Sequence, residues 1–212
     1  MSLYGRVFAA AYDRGLAASE RAGLSEMRAR LLAEARDRTL ELGAGTGLNL
    51  VHYSGHGIEL TLTEPEAPMA RRLKRRASKL RPDATIVCAP ADRLPFDDAS
   101  FDSVVCTLVL CTVPNPAAAL AEIERVLAVD GRLLFLEHVR SDDAGLARWQ
   151  DRLHGLWVHV GHGCHYNRDT LANIHAAGFE VDQLHHDRIP KAAPIIRPLI
   201  VGSARPTVVQ RW

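Results

Sequence analysis

The residues best suited to chemistry begin with Glu41-Leu42-Gly43-Ala44-Gly45-Thr46-Gly47. This run follows a short apolar strand and is expected to open a helix. Glycine suits such a turn because positive φ and close backbone approach to a ligand leave no room for a side chain. The pattern is GxGxG, with an acid two positions before the first glycine. A dinucleotide fingerprint would carry a third glycine where Leu48 stands, so a dehydrogenase is disfavoured. A pyrophosphate would also prefer a helix N-terminus without an acid beside it. A ligand bearing an ammonium and a sulfonium instead gains from Glu41. At the end of the second apolar run lies Glu64, where a carboxylate accepts both hydroxyls of a ribose and repels a phosphorylated one.

The elements that position these groups alternate. Strands are expected at 39–42, 58–64, 85–88, 101–110 and 132–139, with helical patterns between them, which indicates a parallel α/β sheet with right-handed crossovers. The 101–110 run is apolar on both faces, as in a covered central strand. Asn115 and Pro116 suit the cap and first turn of a helix whose Leu120, Ile123, Val126 and Leu127 share one face. Residues 2–34 read as one or two amphipathic helices, 142–160 as another helix and 170–177 as a short one. Two closing strands are expected at 179–184 and 198–209, separated by a loop carrying Pro190, Pro194 and Pro198.

Composition bounds the rest. The chain has 212 residues, 47% hydrophobic and 24% charged, and a net charge of +1. That balance suits one soluble globular domain over 1–212: a helical segment (1–37), a cofactor core (38–140) and substrate-side elements (141–212). It offers no general attraction to nucleic acid or an anionic membrane. No apolar run is long enough to span a bilayer, and the first twelve residues do not read as a signal peptide, so a cytoplasmic protein without stable membrane insertion is expected. Cys88, Cys106, Cys111 and Cys164 form no CxxC pair and are expected to be reduced structural thiols.

The stretch Ala89-Pro90-Ala91-Asp92-Arg93-Leu94-Pro95-Phe96, with the glycine loop and Glu122–Leu127 before Asp130-Gly131, resembles the class I S-adenosylmethionine-dependent methyltransferases of the type 11 kind. Within them, Cys106–Val113, Glu137-His138-Val139, Gly161-His162-Gly163-Cys164 and Arg168-Asp169-Thr170 resemble the alkyl thiol S-methyltransferases. The resemblance covers about residues 38–205. It implies a seven-stranded, mostly parallel Rossmann-like sheet in the order 3-2-1-4-5-7-6, its last strand antiparallel, with helices on both faces. It also implies S-adenosylmethionine as cofactor, S-adenosylhomocysteine as product, and a small, rather apolar acceptor, first of all a thiol. Quinone, sterol and phospholipid acceptors stay open, as does a non-catalytic cofactor-binding role. The animal members carry a hydrophobic N-terminal anchor that this sequence does not show, and Asp where this chain has Glu64.

By the same resemblance Asp92, with Ala91, lies by the adenine amino group, and Leu94 and Met69 flank the ring. Asn49, Ala44, Pro65, Thr107 and Leu108 complete the cofactor contacts beside Glu41, Gly43, Gly45, Gly47 and Glu64. A tyrosine of the N-terminal helix, taken as Tyr4, lies near the cofactor if that helix closes as a lid; Tyr4, Val7, Phe8, Tyr12 and Leu16 equally suit plain core packing.

Methyl transfer needs alignment, desolvation and, where required, a deprotonated nucleophile. His138, at the carboxyl edge of the sheet where ligands of such folds bind, is the first candidate for a base or orienting residue, and His159 the second. A structural hydrogen bond from His138 to a loop is the alternative. The cluster His154, His159, His162, Cys164 and His165 is expected to hold no metal, because Gly161 and Gly163 break regular ligand spacing; it either lines the pocket or serves plain surface and packing roles. Five basic residues in Arg71–Arg76 read as a solvated helix face, with Leu73 and Leu80 toward the sheet. The oligomeric state is not legible.

Overall fold

The structure, a computed structural model, describes residues 3–53 and 57–207, with side chains from Gly5 onward. Helices α1 (Leu3–Ser19) and α2 (Ser25–Leu32) come first, joined through a wide π turn at Glu20–Leu24 where Gly23 takes a φ of 134°. The sheet follows: β1 (Arg38–Leu42), β2 (Glu59–Thr63), β3 (Thr85–Val87), β4 (Phe101–Thr107), β5 (Leu127–His138), β6 (Phe179–Arg188) and β7 (Pro198–Pro206). Its helices are α3 (Ala67–Leu80), α4 (Pro116–Val126), α5 (Ala144–Val160) and α6 (Thr170–Ala176).

The strands run in the order β3-β2-β1-β4-β5-β7-β6, as the resemblance implied. The first five pair in parallel, and β7 runs antiparallel to both β5 and β6. Period-two alternation divides the core. Leu133 and Phe135 of β5 join the layer under α4 and α6, while Leu134 and Leu136 join the layer under α2 and α3. Asn115 caps α4 as expected, its Oδ1 accepting from Ala118 N–H at 3.1 Å.

Several boundaries differ from the sequence reading for physical reasons. β4 stops at Thr107 because Leu108 takes a φ of 59° and turns the chain away. β5 begins at Leu127: Phe101 pairs with Leu127 and Ser103 with Arg132, so 128–131 bulge from the ladder instead of forming a simple turn before the strand. β6 extends to Arg188, and the glycine loop opens a 3-10 turn, Leu48–His52, in place of an α-helix. Leu73 is buried against the sheet, but Leu80 is 44% exposed at the end of α3. No helix among the described residues is long and apolar enough to cross a membrane.

Candidate active site

The carboxyl ends of β1 and β4 carry a narrow cavity, lined by Glu41, Gly43, Ala44, Gly45, Asn49 and Thr107 together with Tyr12, Arg28, Thr46 and Leu48. The loop geometry demands its glycines. A Cβ on Gly43 would stand 2.9 Å from Val109 Cγ2, and one on Gly47 would stand 2.7 Å from Leu50 Cδ1, both at positive φ. Gly45, also at positive φ, has nothing nearer than 3.9 Å, so its backbone stays open toward a ligand.

A buried polar network forms the floor. Glu41 Oε1 accepts from Asn49 Nδ2 at 3.0 Å, and Oε2 accepts from the Tyr53 hydroxyl at 2.8 Å. Asn49 Nδ2 also donates to Thr107 Oγ1 at 2.8 Å. Arg28 Nη1 donates to Asn49 Oδ1 and Thr107 Oγ1 at 2.9 and 3.0 Å, and Nε donates to Glu20 Oε1 at 3.0 Å. Nη2 of this buried arginine takes no partner among the described residues. Burial pushes the Glu41 carboxyl up to about 7, against the lowering influence of Tyr53, Asn49 and Arg28.

Glu64, just past β2, is held from two sides. Gly45 N–H donates to its Oε2 at 2.9 Å and Glu66 N–H to its Oε1 at 2.8 Å. Burial raises its carboxyl above the usual range, with both N–H groups opposing. Pro65 and Met69 follow at this edge, and Ala91 and Asp92 stand on the loop after β3. Met69 is buried and Asp92 exposed. None of Glu64, Pro65, Met69, Asp92 or Leu108 lines the cavity around Glu41, though Glu64 is bonded to Gly45 of its loop. Leu94 also packs into the hydrophobic core, and its backbone is tied to Glu122 and Arg125.

The N-terminal helix lies over the glycine loop. Asp13 accepts from Thr46 Oγ1 at 2.5 Å and from Arg76 Nη2 at 2.8 Å, so one arginine of the basic run is committed to this contact. Phe8 stacks on His162 at 4.4 Å, and His162 Nε2 lies 2.8 Å from Glu66 Oε1. The side chain of Tyr4 lies outside the described residues; the described tyrosine at the cavity is Tyr12. The sequence marked Tyr12 only as one of several residues of a lid or packing face, and it did not mark Arg28 at all. Helical spacing placed Tyr12 on the inner face of α1, while nothing local marked Arg28 among so many arginines.

The turn after β4 has its own buried acid. Glu137 Oε1 accepts from the N–H groups of Val109 and Leu110 at 2.8 and 3.0 Å, and Oε2 accepts from Cys111 N–H at 3.2 Å. Burial raises this carboxyl to about 7, the three N–H groups opposing it.

His138 ends β5 in a buried position where burial lowers its ring to about 4, opposed by a hydrogen bond to the Ile196 backbone. Its Nδ1 has no partner among the described residues, and it does not line the cavity. His159 is exposed on the last turn of α5 with Nδ1 against the Gly155 carbonyl at 2.8 Å, a placement outside the cavity. His154 and His165 face each other across 2.8 Å between ring nitrogens. Among the described residues no three His, Cys, Asp or Glu side chains converge as a metal site would require.

This geometry suits the cofactor that the resemblance implied. A guanidinium nitrogen without a partner among the described residues and a buried carboxylate suit an amino-acid end, the open Gly45 backbone admits close approach, and Glu64 suits a ribose diol. A family described as Methyltransferase domain matches residues 40–135. Thiol S-methyltransferase TMT1B of Rattus norvegicus is 37% identical over 169 residues, covering 78% of this chain and 69% of the relative. Thiol S-methyltransferase TMT1A of Homo sapiens is 30% identical over 201 residues, covering 93% and 82%. Among solved structures, a SAM-dependent methyltransferase of Thermotoga maritima described as a possible histamine N-methyltransferase shares the fold, with a TM-score of 0.70 and 23% identity over 95% of this chain and 97% of that one. The chain therefore belongs to the class I S-adenosylmethionine-dependent methyltransferases, in the family that includes the thiol S-methyltransferases.

Proposed function

We propose that this methyltransferase moves the methyl group of S-adenosylmethionine to a small, rather apolar thiol. The observation that carries the acceptor is the similarity over most of the chain to enzymes named as thiol S-methyltransferases. The cofactor supplies an activated methyl group and its own leaving group. The protein's residues bind and align. Arg28 Nη2 takes the methionine carboxylate, Glu41 faces the ammonium and sulfonium charge, and Glu64 accepts from the ribose hydroxyls. Tyr12 and the helix behind it exclude water above the site. Pro65, Met69, Ala91 and Asp92 serve the adenine end, with Leu108 setting the turn beneath it.

A thiol with an ordinary value near 8.5 is a few per cent thiolate at neutral pH, which is enough for an aligned displacement. His138 then acts by orientation, as a neutral ring held by Ile196. The test is S-adenosylhomocysteine formation with and without a simple alkyl thiol. Thiol-dependent product supports the reading. Product that appears only with a quinone or phospholipid acceptor overturns it while leaving the cofactor site intact.

Glu41 makes cofactor affinity depend on pH. Free protein holds this carboxyl protonated below about 7, and a cationic ligand favours the ionised form. Binding therefore releases a proton at low pH, and affinity rises with pH until about 7 and then levels. Below that point the slope approaches roughly tenfold per pH unit. Calorimetric titration in buffers of differing ionisation heat measures both affinity and proton release. Glu41→Gln is expected to bind more weakly and with a flat profile; an unchanged slope in that variant would refute the assignment.

A further inference from the structure

Cys111 and Cys164 bring their sulfurs to 3.8 Å in a buried cluster with Tyr166, in contact through a shared hydrogen bond. The two segments that carry them are locked together. His165 N–H donates to the Cys111 carbonyl at 2.7 Å, and Arg168 Nη1 donates to the carbonyls of Leu110 and Val113. Glu137 fixes the Cys111 side from below through the Cys111 N–H. The sulfurs need to close by only about 1.8 Å to reach the bonding distance of a disulfide. The sequence reading treated these cysteines as separate structural thiols, since nothing in a spacing of 53 residues foretells a contact.

The remaining cysteines differ. Cys106 points into the core from β4, and Cys88 is exposed after β3. Of the close pair, Cys164 is 7% exposed and Cys111 1%, so Cys164 is the thiol an incoming reagent meets. Its shared hydrogen bond with Cys111 draws it below the usual thiol range, with Trp157 adding to this, while the same bond and burial raise Cys111. Both thiols and Arg28 act electrostatically on the phenol of Tyr12, a residue of the cavity, which burial pushes up to about 12.

We infer that Cys111 and Cys164 form a reversible dithiol modification site that exchanges with low-molecular-weight disulfides. The Cys164 thiolate attacks one sulfur of RSSR, forming a mixed disulfide and releasing RS⁻. The Cys111 sulfur then attacks Cys164 Sγ, expels the second RS⁻ and leaves an intramolecular disulfide. The Cys111 proton and the one Cys164 released on ionising go, through solvent, one to each departing thiolate, so two protein thiols are oxidised and one RSSR is reduced to two RSH. The closed form ties the 161–165 loop, whose His162 stacks on Phe8 of α1, to the turn after β4. This inference does not depend on which acceptor is methylated.

The experiment treats the reduced full chain with bis(2-hydroxyethyl) disulfide, then alkylates it and maps the peptides without reductant. The expected result is joint loss of alkylation at Cys111 and Cys164, a cross-linked peptide containing both and no retained hydroxyethyl group, reversed by dithiothreitol. Cys111→Ser is expected to trap a stable hydroxyethyl adduct on Cys164. Cys164→Ser is expected to slow any modification of Cys111 at least tenfold. The mapping of the unsubstituted protein decides the matter even if a variant fails to fold. Adduct on Cys88 alone with Cys111 and Cys164 still alkylatable, or a lasting adduct on Cys164 in the unsubstituted chain, would overturn the proposal.

Discussion

Replacing Arg28 by Ala is expected to weaken S-adenosylmethionine binding by roughly 10- to 100-fold, the worth of one charge-assisted hydrogen bond of about 1.5–3 kcal/mol. Nε and Nη1 of Arg28 are used on Glu20, Asn49 and Thr107, which fixes the guanidinium plane, and Nη2 has no partner among the described residues. Removal also leaves Asn49 Oδ1 and Thr107 Oγ1 without their cation and strands the Glu20 carboxylate. Such a break in a buried charged network costs about 3–5 kcal/mol of stability. The two effects separate in Arg28→Lys. The ammonium keeps the charge but not the planar fork, so it is expected to regain more stability than affinity. Calorimetric binding and thermal melting of both variants check this. Unchanged affinity in a folded Arg28→Ala protein would remove Arg28 from the cofactor site.

Glu137→Gln is expected to lower stability by about 2–4 kcal/mol, a melting shift of roughly 5–15 °C for a chain of this size. The carboxylate accepts from three successive backbone N–H groups, at Val109, Leu110 and Cys111, in a position with no exposure. An amide offers one oxygen, so its nitrogen must face at least one of those donors. A buried N–H then goes unpaired. The same turn begins at Leu108, held at a φ of 59° by its bond to the Leu136 carbonyl, and closes one side of the site. Turnover is therefore expected to fall further than cofactor affinity. Differential scanning calorimetry and steady-state kinetics read the two. A variant with unchanged melting would show that Glu137 is not what holds the turn.

The sheet was legible because each strand announces itself locally. The 101–107 run is apolar on both faces, and only a strand covered by helices on both sides tolerates that. The glycine loop was legible for a similar reason. Its three positive-φ positions admit only glycine comfortably, so backbone sterics write the motif into the sequence. Glu41 and Glu64 could be picked out because they sit at fixed offsets from that loop and from the second strand. Leu94 was legible only as an apolar position, since a residue after the Ala91-Asp92 pair satisfies either an adenine face or the core, and composition does not choose between them.

By itself, then, the sequence determined the strand order through resemblance, the cofactor loop and its acidic neighbours, all of which depend on short-range spacing. The tertiary structure alone decided the rest. Arg28 reaches Thr107 across 79 positions, Glu137 reaches the 109–111 turn from the neighbouring strand, and Cys164 meets Cys111 across 53. It also buried His138 and left His159 exposed. Contacts of this kind arise where the carboxyl ends of different strands and the first helix converge. A linear chain holds no period or spacing that records such convergence, because it is created by sheet pairing and helix packing and not by the residues' own local preferences.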